Sequence, residues 1–245
     1  MKSRVVSGAA LVVFLLAIVL FNQMFPLALN LAIALISVMG VVEIISALGM
    51  SKNYILLIPS VVFAAVLPLL QDTWQQAAYY IYTVVIFSAL IFYHQLFTFR
   101  EIGVVYSMSL LIPTALQTLV GLRESGDGHG MFYVIIAIFS AWIADAGAFF
   151  AGSFWGKRKL CPQISPKKTV EGAVGGLVLS LVANVCAMLL YNHFADAPLE
   201  QPLMIALICL SPVVALLGMF GDLTASVLKR NFGVKDFGKI FPGHG

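Results

Sequence analysis

Eight stretches of almost unbroken apolar sequence, separated mostly by short polar connections, make up about two-thirds of the chain. They run over about Val5–Asn22, Pro26–Met50, Tyr54–Leu70, Ala77–Phe97, Ile102–Leu122, Met131–Gly152, Gly172–Asn192 and Pro202–Gly221. Each approaches the ~20 residues that a helix needs to cross the hydrocarbon core of a bilayer. The runs are continuously apolar, without the alternation of barrel strands, so they predict helices. The expected fold class is therefore all-α, a polytopic integral membrane protein with about eight transmembrane helices. Two connections are long, Ser153–Glu171 and Asp222–Gly245, and both are basic. The expected division is residues 1–130, with about five spans, and residues 131–245, a region carrying both basic loops.

Composition agrees with a lipid solvent. The chain is 61% hydrophobic and 10% charged over 245 residues, and its mean hydropathy is +0.99. A soluble domain is nearer half apolar and a quarter charged. Cys161, Cys186 and Cys209 show neither pairing nor metal-ligand spacing, so no disulfide framework or zinc site is expected. The opening Met1-Lys-Ser-Arg4 and the apolar run behind it resemble a signal peptide. No small-residue cleavage site follows, and the segment reads as an uncleaved first helix.

Charge gives the expected orientation. With the N-terminus in the cytoplasm, thirteen of the fourteen Lys and Arg residues fall on the inner side, and only Arg123 lies outside. Asp72, Glu124, Asp127, Asp196 and Glu200 fall outside. This is the bias of the positive-inside rule, and it places both long basic loops in the cytoplasm of a cell whose inner membrane the chain would span. Small residues supply a helix-packing face: Gly172-x-x-x-Gly176 on the seventh span and Ala144-x-x-x-Ala148-x-x-x-Gly152 on the sixth.

Chemistry-bearing residues gather on that inner side. Asp145 lies within the sixth span on its small-residue face, and a charge there belongs in a bundle interior or a wet cavity. Lys157, Arg158 and Lys159 follow, then Ile164-Ser-Pro-Lys-Lys-Thr-Val-Glu-Gly172. Thr169 is a candidate N-cap for the next helix. The free backbone N–H groups there, beside Lys167 and Lys168, would form an anion site. The simpler reading of such loop cations is that they set topology and meet anionic headgroups. Asp222 sits where the eighth span ends, close to Ser226, Lys229, Arg230, Lys235 and Asp236. A carboxylate among phosphate-binding cations suits magnesium-assisted phosphoryl chemistry, and an interfacial helix-end acid is the alternative. Glu43, inside the second span, could line a polar cavity or pair with a neighbouring helix.

The C-terminal spacing Ser-x-x-Lys-Arg-x4-Lys-Asp-x-Gly-x3-Phe-Pro-x-His-Gly, from Ser226 to Gly245, resembles the signature of phosphatidate cytidylyltransferases, the CDP-diacylglycerol synthases. Ser165-Pro-Lys-Lys-Thr-x-Glu-Gly172 resembles a second segment of that family, and Asp145-x-x-Ala148 the start of a third; Phe149 stands where tyrosine is common. The likeness covers about the last hundred residues. It implies transfer of CMP from CTP to phosphatidate, giving CDP-diacylglycerol and diphosphate. It also implies catalytic roles for Lys229, Arg230, Lys235 and Asp236, and substrate contacts from Ser165, Lys167, Lys168, Thr169, Glu171, Ser226 and His244. Asp222, with Asp145, would bind Mg2+. In the family the signature continues to an Asp-Arg-x-Asp segment, so a ninth helix is expected beyond Gly245, and an inactive truncated member of the family is an alternative reading. The partners implied are the two substrates and the bilayer, with no nucleic acid and with room for a homodimer. Sister enzymes, an isoprenoid-alcohol kinase or a CDP-archaeol synthase, use related chemistry. A membrane transporter is the rival from another class, set against it by the absence of repeats and by charge gathered at one face.

Overall fold

Helices begin and end close to where the apolar runs do. The structure is a computed structural model that describes residues 2–22, 24–125 and 128–238. Eight α-helices are present among them: α1 (Lys2–Phe21), α2 (Leu27–Ala47), α3 (Tyr54–Val66), α4 (Asp72–Phe92), α5 (Phe99–Arg123), α6 (Gly130–Trp155), α7 (Val170–Phe194) and α8 (Gln201–Asn231). Six of them, α2 and α4 to α8, are long and apolar enough to cross a membrane. The third expected span is instead the 13-residue α3 followed by a 3-10 turn over Leu67–Leu69. At about 1.5 Å per residue α3 covers only ~20 Å.

Both long connections contain regular structure among their described residues. The Ser153–Glu171 connection contains the end of α6 and a hairpin of two short antiparallel strands, β1 (Lys159–Cys161) and β2 (Ser165–Thr169). The connection expected from Asp222 onward is helical as far as Asn231. Leu223, Ala225, Leu228, Lys229 and Arg230 all favour helix, and no breaker intervenes before Gly233. There the backbone turns to φ +66, with Phe232 N–H bonded to the Leu228 carbonyl at 3.1 Å and Gly233 N–H to that of Arg230 at 3.2 Å. This left-handed glycine just past a helix end is the usual way to stop one. At 31 residues α8 is about 46 Å long, against the ~30 Å of a hydrocarbon core. About ten of its residues must lie outside the apolar layer.

The chain divides into two compact units, Met1–Gly121 with Val234–Gly245, and Leu122–Gly233. The first is built on α2 to α5, whose core includes Val41, Ile45, Leu56, Phe63, Tyr82, Ile86, Ile102 and Val105. Its helices are also joined by polar contacts. Ser60 Oγ meets Tyr82 Oη at 3.0 Å, Tyr79 Oη meets Thr114 Oγ1 at 3.0 Å, and Thr83 Oγ1 meets Tyr106 Oη at 2.8 Å. In lipid, where apolar burial does not drive helices together, such bonds and close packing do.

The second unit rests on α6 and α7, its most extensive helix pair. The expected small-residue faces meet here. A Cβ on Gly172 would lie 2.7 Å from the Ala148 carbonyl oxygen, and one on Gly176 would lie 2.5 Å from that of Ala144. A Cβ on Gly175 would strike the Ala151 methyl. Deeper along the pair, buried Asn184 donates to Ser140 Oγ at 2.6 Å and to Ser211 Oγ at 2.5 Å, so one side chain of α7 joins both α6 and α8.

Candidate functional site

In the second unit, the α6 end, the hairpin and the start of α7 form one locally determined structure. Thr169 is the N-cap of α7: its hydroxyl accepts from Gly172 N–H at 3.1 Å. Its side chain is buried, in the space that a Cβ at Gly152 or Gly156 would need. The Thr169 hydroxyl is thus committed to the helix start. Two residues on, the Glu171 carboxylate accepts from the backbone N–H of Lys157 at 3.0 Å and of Arg158 at 3.1 Å. Val170 N–H returns to the Arg158 carbonyl at 2.9 Å. Glu171 therefore clamps the loop that carries Lys157, Arg158 and Lys159, all three exposed.

The hairpin then sets the two lysines of Ser165-Pro-Lys-Lys-Thr169 apart. On β2, Lys167 is exposed and Lys168 is half-buried. The Lys168 ammonium is ion-paired with the carboxylate of Asp222 on α8. Asp145, exposed on α6, lies within electrostatic range of both Asp222 and Lys168. Arg230 Nε reaches back to the Ile164 carbonyl at 3.4 Å, tying the end of α8 to the hairpin turn. Because residues three and four apart share a helix face, the continued helix puts Asp222, Ser226, Lys229 and Arg230 on one stripe. The Ser226 hydroxyl donates to the Asp222 carbonyl at 2.8 Å.

The structure therefore brings together Asp145, Lys168, Asp222 and Arg230, along with the hairpin that holds Ser165 and Lys167. Lys235 and Asp236 are exposed in the segment after Gly233, which belongs to the first unit. His244 lies outside the described residues. The Lys168–Asp222 pair and the Glu171 clamp went unseen in the sequence. The only hint of the clamp was an acid two residues after the cap residue.

Whether Mg2+ fits can be judged from the donor set. It takes oxygen ligands in octahedral geometry, with one or two carboxylates and the rest from water and substrate phosphate. Among the described residues no cluster of three or more His, Cys, Asp and Glu exists. The two neighbouring carboxylates, Asp145 and Asp222, suit an ion shared with a phosphate substrate.

Comparison with known proteins gives the family. The family model described as "Cytidylyltransferase family" matches residues 2–245. A phosphatidate cytidylyltransferase of Bacillus subtilis is 31% identical over 257 aligned positions, covering 100% of this chain and 90% of the relative. One from Staphylococcus saprophyticus is 43% identical over 117 positions, 48% of this chain and 42% of the relative, and one from Staphylococcus haemolyticus is 41% identical over 116. A match across essentially the whole sequence, joined to a basic, acid-bearing site on membrane helices, places the chain in the cytidylyltransferase family.

Proposed function

We propose that the protein transfers a cytidylyl group from CTP to phosphatidate, releasing diphosphate and leaving CDP-diacylglycerol in the bilayer. The observation that carries this reading is the gathering of Lys168, Asp222, Asp145 and Arg230 around the hairpin, on helices whose other surfaces are apolar. One substrate is confined to lipid and the other to water, so a site at the polar ends of spanning helices is what the reaction requires.

The nucleophile is a phosphate oxygen of phosphatidate, already ionised near neutral pH, so no strong general base is needed. It attacks the α-phosphorus of CTP. The new P–O bond forms as the bond from the α-phosphorus to the bridging oxygen breaks, and diphosphate departs with that electron pair. The obstacle is bringing one anion up to another. Lys167, Lys168, Lys229, Arg230 and Lys235 are suited to neutralising phosphate charge and Ser165 and Ser226 to hydrogen bonding, so catalysis is positioning and electrostatics. Asp145 and Asp222 would hold Mg2+, which when bound supplies further neutralisation of phosphate oxygens. In this reading the chemistry resides in residues 131–245, and both basic segments face the cytoplasm of a cell membrane, where CTP is found.

The deciding assay supplies the protein in liposomes with CTP labelled in the cytidine, Mg2+ and a panel of acceptor lipids. Lipid-linked CMP formed from phosphatidate, with diphosphate in equal amount, is the expected result. CMP or CDP as the first nucleotide product overturns the proposal, as does a preference for an isoprenoid alcohol.

A further inference from the structure

Glu43 is a half-buried carboxylate on α2, one turn before that helix ends at Ala47, and the nearby Val41, Ile44 and Ile45 are buried apolar side chains. An acid within a spanning helix is costly unless it is used. Within the first unit, the Val234–Gly238 segment runs directly against it. A Cβ placed on Gly238 would fall on the Glu43 carboxylate, overlapping its Oε1, Cδ and Cγ. Gly238 is not among the glycines with positive φ, so what this position demands is space and not unusual backbone freedom. The glycine of Lys235-Asp236-Phe237-Gly238 is thus matched to the acid of α2.

We propose that Glu43 is a positioning residue for the signature: its carboxylate forms the seat on which the backbone at Gly238 rests, and that seat fixes where Lys235 and Asp236 are presented. Glu43 itself then touches no reacting atom. It acts through the segment, and the acid of α2 and the closely approaching glycine form a single device. The inference rests on the proposed function only in giving Lys235 and Asp236 a part in the reaction. The seat itself is a matter of proximity and can be tested without turnover.

Two experiments on the full-length protein decide it. In the first, G238A, E43A and the double variant E43A/G238A are compared for kcat with CTP. G238A alone is expected to lose on the order of 100-fold, the usual effect of shifting reacting groups by about an ångström. In the E43A background the same change is expected to cost less than about twofold, because the methyl enters space the carboxylate has left. An equal loss in both backgrounds overturns the proposal. E43Q, which keeps the shape of the side chain, is expected to retain more kcat than E43A, with KM for CTP little changed in either. In the second experiment, E43C and G238C are combined in a variant with Cys161, Cys186 and Cys209 replaced by Ser. Bridging of the pair by a short bis-methanethiosulfonate, which forms a disulfide to each cysteine and releases methanesulfinate, is expected in the folded protein. Failure to bridge overturns the seat whatever the activity. Bridging, together with no CDP-lipid from the unmodified protein, upholds the seat and refutes the function instead.

Discussion

Lys168 and Asp222 form an ion pair that joins the hairpin to α8. Both side chains are partly open, at 28% and 47% exposure, so the pair is accessible to a competing anion or cation. An exposed pair is worth little to stability, about 0–1 kcal/mol. Its importance should therefore appear in turnover. K168M and D222N are each expected to lower kcat/KM by about 100-fold or more, the usual loss when one preorganised charge is removed from a reaction of this type. Their unfolding midpoints in detergent should stay close to that of the unmodified protein. The charge-swapped K168D/D222K keeps the pair and should remain inactive. Recovery of activity by the swap would reduce the pair to a structural link.

Helix pairing should fail selectively along the α6–α7 seam. Gly175 faces the Ala151 methyl, whereas Gly218 on α8 has nothing within 4 Å of its would-be Cβ. G175V is expected to destabilise the protein by about 1–3 kcal/mol through overpacking. G218A should be neutral or slightly stabilising, since Ala is the better helix former. Unfolding in mixed micelles titrated with SDS gives both values, and equal effects at the two sites would contradict the packing described.

The start of α7 depends on one hydroxyl. T169A removes the cap on Gly172 N–H and leaves a void between Gly152 and Gly156, so a loss of about 1–2 kcal/mol is expected. T169S keeps the cap and should recover most of it. If T169V is as stable as T169S, the hydroxyl is not what holds the turn.

How much of this was legible in the sequence depends on the physics at each place. Spans are legible because a bilayer imposes a length and a composition, and α2, α5, α6 and α7 start and end within a few residues of the apolar runs. The Gly172/Gly176 face and the Thr169 cap were legible for the same kind of reason: each is a local pattern with one dominant use. The continuation of α8 was not, because the residues past Asp222 turn polar where the helix leaves the apolar layer, and polarity was read as loop. Helix propensity persisted to Gly233, which was the better guide. The hairpin was hidden because β1 and β2 are too short and too polar to show alternation. Lys168 with Asp222, and Glu43 with Gly238, join positions remote in sequence. A single chain holds no signal for such pairs beyond the oddity of an acid in an apolar run.

Glu171 offers a last separation of roles. Its carboxylate accepts from Lys157 and Arg158 backbone N–H groups, so the charge fixes a loop that carries three exposed cations. Removing the carboxylate should loosen the loop without touching Asp222 or Lys168. E171A is therefore expected to raise KM for CTP by about tenfold, through poorer positioning of charge, and to leave kcat at saturating CTP within about threefold. E171Q retains a carbonyl oxygen that can accept from the same groups, though without the extra strength of an ionised acceptor, and its KM should fall between the two. Limited trypsin digestion supplies a second readout, since cleavage after Lys157, Arg158 or Lys159 should quicken in the order unmodified, E171Q, E171A. A fall in kcat with KM unchanged would place Glu171 at the reacting phosphates and end its assignment as a clamp.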